Sequence, residues 1–341
     1  MKAGLQAMRQ TRTFAVLAAL VIALTTAPGA ARAEDGDILS RSAYQPPDIR
    51  YAEWFERVWN GPRRDPRDPV LDPARGAAYF TPALFAGLSG GGDVSVERIT
   101  YESDGLAIAG FIIQPTAPSD KPRPVIIWCR GGNRDFGAIN LIQLQIMTNW
   151  ARRGYVVIAS NYRGGPGSEG RDEFGGADVN DVMALAPLAR GLAGADGERL
   201  FLYGESRGGV MVYRALAEGF PARAAALNSG ATDLGGTERS DMHEVYRALM
   251  PDYEAEAANG FCRRSAICWP ERITQPVLIL GATGDWRVSA AEQVALAGRL
   301  QALGRPITLH MVEGGSHIWL DQDQTRTDGT ILDWFSQHDP A

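Results

Sequence analysis

Three residues of this chain have the types and order that nucleophilic acyl transfer requires: Ser206 in Gly204-Glu-Ser206-Arg-Gly208, Asp285 in "GATGDWRV" and His317 in "EGGSHIW". A serine hydroxyl is a weak nucleophile at neutral pH. It needs a base to take its proton, and the base needs a carboxylate to hold its tautomer and orientation. The G-x-S-x-G pattern is short and arises by chance, so its meaning depends on its surroundings.

Those surroundings are specific. "RLFLYG" before Ser206 reads as a buried strand and "GGVMVYRALAEGF" after it as a helix, which places the serine on the tight strand-to-helix turn of a nucleophile elbow. The flanking glycines leave room where a side chain would collide with backbone. The Arg207 N–H falls at the helix N-terminus, where it can face a developing oxyanion.

All four histidines follow Ser206. His243 lies in an irregular stretch, His310 inside the strand "ITLHMVE", and His338 at the end of the last helix. His317, just after that strand, is placed where a base belongs. Asp285 directly follows strand "PVLILGA", whereas Asp321 and Asp323 come after His317 and break the order Ser, acid, His. The expected triad is Ser206–Asp285–His317. A second oxyanion donor is expected from the amides of Arg130 and Gly131 in "RGGNRDFG", after strand "PVIIWC". Trp286 and Trp319, adjacent in sequence to the acid and near the base, are candidate pocket residues. "GPGSEG" (165–170) satisfies a dinucleotide-binding pattern, but it contains Pro166 and no helix follows at once, so no such site is expected.

The elements that must position these residues alternate. A hairpin, "VSVERITYE" and "LAIAGFIIQP" around Ser103-Asp104-Gly105, precedes apolar strands separated by amphipathic helices. This pattern predicts an α/β fold with a mostly parallel central sheet, helices on both faces and an antiparallel N-terminal hairpin. Residues 93–341 form the expected catalytic domain, with 230–272 as a helical cap insertion. Residues 34–92 read as an N-terminal extension in which "YAEWFERVWN" forms a helix and "GPRRDPRDPVLDPARG" does not.

Residues 1–33 read as a secretory signal peptide: Lys2, Arg9 and Arg12, then the apolar run Phe14–Leu24, then "ARA". Its removal takes away four basic residues and moves the net charge from −6 to −10. An acidic, exported protein, expected in the periplasm, has no basic patch for nucleic acid and no membrane span in its mature form. Export permits a disulfide between Cys262 and Cys268 and leaves Cys129 a buried thiol. The cysteines and histidines show no metal-ligand spacing.

From Val94 onward the chain resembles the catalytic domain of the prolyl oligopeptidase family of serine peptidases. The resemblance rests on "ITYESDGLAIAGFIIQP", "NYRGGPGSEGRDEFGGADVNDV", "GESRGG", "RSAICWPERITQPVLILGATGDWRV" and "EGGSH". It implies an α/β-hydrolase fold, Ser206, Asp285 and His317 in the triad positions, and an acyl-enzyme mechanism without cofactor. The family's oligopeptidases carry a β-propeller, for which the sixty residues ahead of the hairpin are too few. Arg130 stands where the family often has Tyr or His; it offers a backbone N–H to the oxyanion or its side chain to a substrate carboxylate. A peptide- or amide-cleaving serine hydrolase is therefore the leading expectation, a carboxylesterase the alternative, and a non-catalytic binding protein the remote one.

Overall fold

The computed structural model describes residues 33–90 and 92–339. The expected signal peptide lies almost entirely outside these residues. In chain order the strands and helices are β1 (Ile38–Ala43), α1 (Tyr51–Trp59), α2 (Pro73–Tyr79), α3 (Pro82–Gly87), β2 (Val94–Ser103) and β3 (Leu106–Pro115). Then come β4 (Arg123–Cys129), α4 (Leu141–Arg152), β5 (Val156–Ser160), α5 (Val179–Met183), α6 (Leu185–Gly191), β6 (Ala195–Glu205), α7 (Gly208–Ala217) and β7 (Ala222–Asn228). The chain continues through α8 (Ser240–Leu249), α9 (Tyr253–Ala258), β8 (Val277–Ala282), α10 (Ala290–Ala302), β9 (Ile307–Val312) and α11 (Gln324–Gln337).

The strands form one nine-stranded sheet in the order β1-β2-β3-β5-β4-β6-β7-β8-β9. Pairing is antiparallel from β1 to β5 and parallel from β5 to β9. This is the mostly parallel α/β sheet that the alternating pattern predicts, in the α/β-hydrolase arrangement that the resemblance implies. The central strands are apolar without interruption because both faces are covered. Val125 and Ile127 of β4 face one core with Val179, Leu185, Met211 and Leu296 of the helices on that side. Ile126 and Trp128 face the other, with Trp54, Leu84, Leu144 and Phe335. Successive residues of a strand point to opposite faces, so one apolar run serves two cores. At the edge, β9 alternates half-buried and exposed residues.

Local chemistry sets the helix boundaries. Asn140 and Gln143 form a reciprocal capping box at the start of α4, and Ser289 caps α10. The stretch 178–192, which reads as one helix in sequence, is two, meeting at Ala184.

The N-terminal extension is part of the body. β1 adds an antiparallel edge strand to β2, and the aromatic residues of α1 and α3 pack into the second core. Cys262 and Cys268 form a disulfide in the 230–272 segment, and Cys129 is a buried free thiol pushed up to about 12 by burial.

Candidate active site

The parallel strands end at one edge of the sheet, and the loops after β4, β6, β8 and β9 meet there. The loop after β6 carries Ser206 with φ at +55°, the left-handed conformation that a sharp strand-to-helix turn imposes on its apex residue. Such strain persists only where the surroundings enforce it. Here the Ser206 N–H donates to the Asn228 carbonyl at 3.1 Å, and the Ser206 carbonyl accepts from Gly209 at 2.9 Å and Ala231 at 3.0 Å. A Cβ on Gly204 would lie 2.6 Å from the Gly208 carbonyl oxygen, and one on Gly209 would lie 2.7 Å from Gly230 Cα. Glycine is required at both positions by close approach.

Ser206 Oγ is 2.9 Å from His317 Nε2, and His317 Nδ1 is 2.8 Å from Asp285 Oδ2. Asp285 and His317 are 8% and 9% exposed. The other Asp285 oxygen accepts from the amides of Arg287 at 2.8 Å and Val288 at 3.0 Å. Burial pushes the Asp285 carboxyl up. The His317 hydrogen bond and charge and the two amides outweigh it and hold the group below the usual carboxylate range. The histidine loop is fixed in turn by Ser229 Oγ, which accepts from the Ile318 N–H at 3.0 Å. The three residues expected from chain order therefore form one hydrogen-bonded series. His243 packs against Tyr246 and Phe261, His310 is exposed on β9, and His338 bonds the Trp334 carbonyl.

The glycine loop after β4 departs from expectation. The Arg130 side chain is fully buried and turned inward, so it presents nothing to a substrate. It donates to the carbonyls of Asn161 at 2.8 Å, Gly131 at 2.9 Å, Arg134 at 2.8 Å and Phe136 at 3.2 Å. Burial, with repulsion from Arg207, lowers its pKa to about 10. A guanidinium spans several carbonyls at once, so this one acts as the frame on which the loop is folded. Gly131 lies against Ser206: a Cβ there would sit 3.0 Å from Ser206 Cβ. Glu205 is 4% exposed, and burial pushes it up to about 7 against the opposing bond from Gln143.

Arg207 contributes more than its amide. Its guanidinium bonds Asp172 at 2.8 and 2.9 Å, pairs closely with Asp178, and donates to the Gly132 carbonyl at 3.0 Å. Asp172 also accepts the Arg134 N–H at 2.8 Å. One buried ion cluster thus ties the nucleophile turn to the glycine loop. The acidic segment "RDEFGGADVND" was the available sequence signal, but nothing local identified Arg207 as its partner.

A cavity of about 1130 Å³ contains Ser206 and His317. The cap contributes Leu234, Met242, Val245 and Tyr246 to its wall, and the N-terminal extension contributes residues from Arg57 to Pro73. Trp319 lines it. Trp286 does not: the guanidinium groups of Arg67, Arg287 and Arg239 lie 3.6, 4.4 and 5.0 Å from its ring, and its Nε1 donates to Asp68 at 3.2 Å. These cations and a carboxylate brought in by the extension hold the indole away from the cavity, which sequence adjacency to Asp285 could not show.

With this geometry established, the sequence matches the prolyl oligopeptidase family model over residues 142–339. The chain is similar to the uncharacterized peptidase YtmA of Bacillus subtilis, 25% identical over 244 residues, covering 71% of this chain and 93% of that protein. It is also similar to dipeptidyl-peptidase 5 of Porphyromonas gingivalis, 25% identical over 241 residues, covering 64% of this chain but 34% of the relative. Among solved structures, the acylaminoacyl peptidase of Pyrococcus horikoshii shares the fold, with a TM-score of 0.63 and 19% identity over 72% of this chain and 42% of its own. The chain thus spans nearly all of the Bacillus protein but about a third of the dipeptidyl-peptidase.

Proposed function

Because the chain belongs to the prolyl oligopeptidase family of serine peptidases, we propose that it is an exported serine hydrolase that cleaves peptide or amide bonds through Ser206, His317 and Asp285. The observation that carries this reading is the continuous series Ser206 Oγ–His317 Nε2–His317 Nδ1–Asp285 Oδ2. In this reading His317 takes the Ser206 proton as Oγ attacks the carbonyl carbon. Asp285, ionised and bonded to two amides, stabilises the imidazolium that forms. His317 then protonates the leaving nitrogen, the acyl-enzyme remains on Ser206, and a water activated by the same histidine releases the acid. The Arg207 N–H, at the start of α7, is the first oxyanion donor. The glycine loop held by Arg130, whose Gly131 lies against Ser206, supplies the rest of the hole. Export draws support from the Cys262–Cys268 disulfide, which belongs to an oxidising compartment, and among the described residues no helix is long and apolar enough to cross a membrane.

The test is kcat/KM on one short N-blocked acyl peptide presented both as its p-nitroanilide and as its p-nitrophenyl ester, with Ser206→Ala as control. Comparable turnover of both, abolished by the substitution on the order of 10⁴-fold or more, supports the peptidase reading. Turnover of the ester alone makes the protein an esterase with the same triad. A near-normal rate for Ser206→Ala refutes the mechanism.

A further inference from the structure

Residues 60–71 join α1 to α2 as an irregular strap that forms part of the cavity wall. The strap is fastened to three of the four loops around the site, those after β4, β8 and β9. At the acid loop, Asp68 accepts from Arg287 Nη2 at 2.7 and 2.9 Å and from Trp286 Nε1 at 3.2 Å. Beyond the histidine, Gln322 donates to the Val70 carbonyl at 3.1 Å and accepts the Asp72 N–H at 2.6 Å. At the glycine loop, the Arg64 guanidinium lies 5.4 Å from the ring of Phe136. Where the strap begins and beyond its far end, Trp59 and Phe80 each meet Trp319 edge-on at 6.3 Å.

The geometry points to this strap as the element that limits substrate length, restricting Ser206 to short peptides. The inference rests on the serine-hydrolase reading of the site. A cavity of about 1130 Å³ lies just above the range of roughly 300–1,000 Å³ that encloses one small ligand, so a peptide of a few residues fills it. Residues 60–64 and 68–71 wall one side of it, so a longer chain leaving on that side must pass the strap. To do so it must displace the Asp68–Arg287 pair, whose side chains are 22% and 20% exposed and whose separation leaves both charges less hydrated than at a free surface. The prolines at 62, 66 and 69 lower the conformational freedom of the segment and favour a fixed wall over a flexible flap.

The experiment compares the rate at which Ser206 is labelled by a small fluorophosphonate and by the same warhead carried on a twelve-residue unstructured peptide. The wild-type protein should react with the long probe at least about tenfold more slowly. Asp68→Asn, which removes the charge and keeps the size, should raise the long-to-short ratio. Asp68→Ala with Gln322→Ala, which unfastens both ends, should bring it towards one. The ratio cancels any general loss of nucleophile reactivity. Equal wild-type rates overturn the inference, as does a low ratio that neither variant changes. Failure of the small probe to label Ser206 overturns the hydrolase reading instead.

Discussion

Arg207 is placed to decide both the stability of this domain and the shape of the glycine loop beside Ser206. It is 2% exposed, and its guanidinium faces two carboxylates, Asp172 and Asp178, that are 1% and 0% exposed. Burial pushes both carboxyls up. The Arg207 charge reverses this for Asp172, which lies below its ordinary value, but not for Asp178, which stays above it under the added repulsion from Asp172. Arg207→Met strands two buried carboxyls, and removing one partner of a buried ion pair costs about 3–5 kcal/mol. For a domain of this size that lowers Tm by roughly 6–10 °C, at about 2 °C per kcal/mol. The pH dependence has a definite sign. Without the cation both folded-state pKa values lie above the unfolded value, so the variant is least impaired at acidic pH and loses stability as pH rises through the range between them. Combining Arg207→Met with Asp172→Asn and Asp178→Asn should recover most of the loss. Each asparagine oxygen can still accept one of the existing amide bonds, from Arg134 or Phe174 for Asp172 and from Gly175 for Asp178. Activity should not recover with it. The bond from Arg207 to the Gly132 carbonyl is missing in both variants, and a loosened glycine loop costs on the order of 10- to 100-fold in kcat. Thermal and urea unfolding between pH 5 and 8, with kcat measured in parallel, separates the two effects. A single variant that loses less than about 1 kcal/mol, or a triple variant less stable than the single, refutes the stranded-charge argument.

Two further outcomes follow from close contacts and burial. Gly131→Ala introduces a methyl 3.0 Å from Ser206 Cβ and 3.1 Å from the Glu205 carbonyl oxygen. It should lower kcat on the order of 100-fold with little change in Tm, and a near-normal kcat shows that the loop can yield without cost. Asp328, 2% exposed and bonded by the Tyr79 hydroxyl and Gln324, is pushed by burial from 3.8 to about 6. Its folded pKa exceeds its unfolded one, so it subtracts up to about 3 kcal/mol as pH rises from 4 to 6. In urea unfolding, Asp328→Asn should flatten the decline of stability across that window relative to wild type, and parallel curves for the two proteins refute the assignment.

How much of this could be read in advance follows from the range over which each interaction acts. The alternation of strands and helices, the mostly parallel α/β class and the types and chain order of Ser206, Asp285 and His317 were legible in the residues, and the resemblance to a family added the α/β-hydrolase fold. Each of these is written in a short window: an apolar run, a glycine that a tight turn demands, a polar residue just beyond a strand. The parallel sheet then brings strand ends to one edge whatever the details of packing. The remaining contacts join distant parts of the chain. Arg130 reads as offering either its amide to an oxyanion or its side chain to a substrate carboxylate, and the second reading ends when the side chain is seen bonding the carbonyls behind the loop. Trp286 reads as a pocket residue until Asp68, 218 residues away in the chain, is found holding its indole. Arg207 and its carboxylates are 29 and 35 residues apart, and the extension becomes a wall of the site only through pairs such as Gln322 with Val70. Long side chains reach any partner that folding brings within a few ångströms, and no local pattern encodes which partner that is.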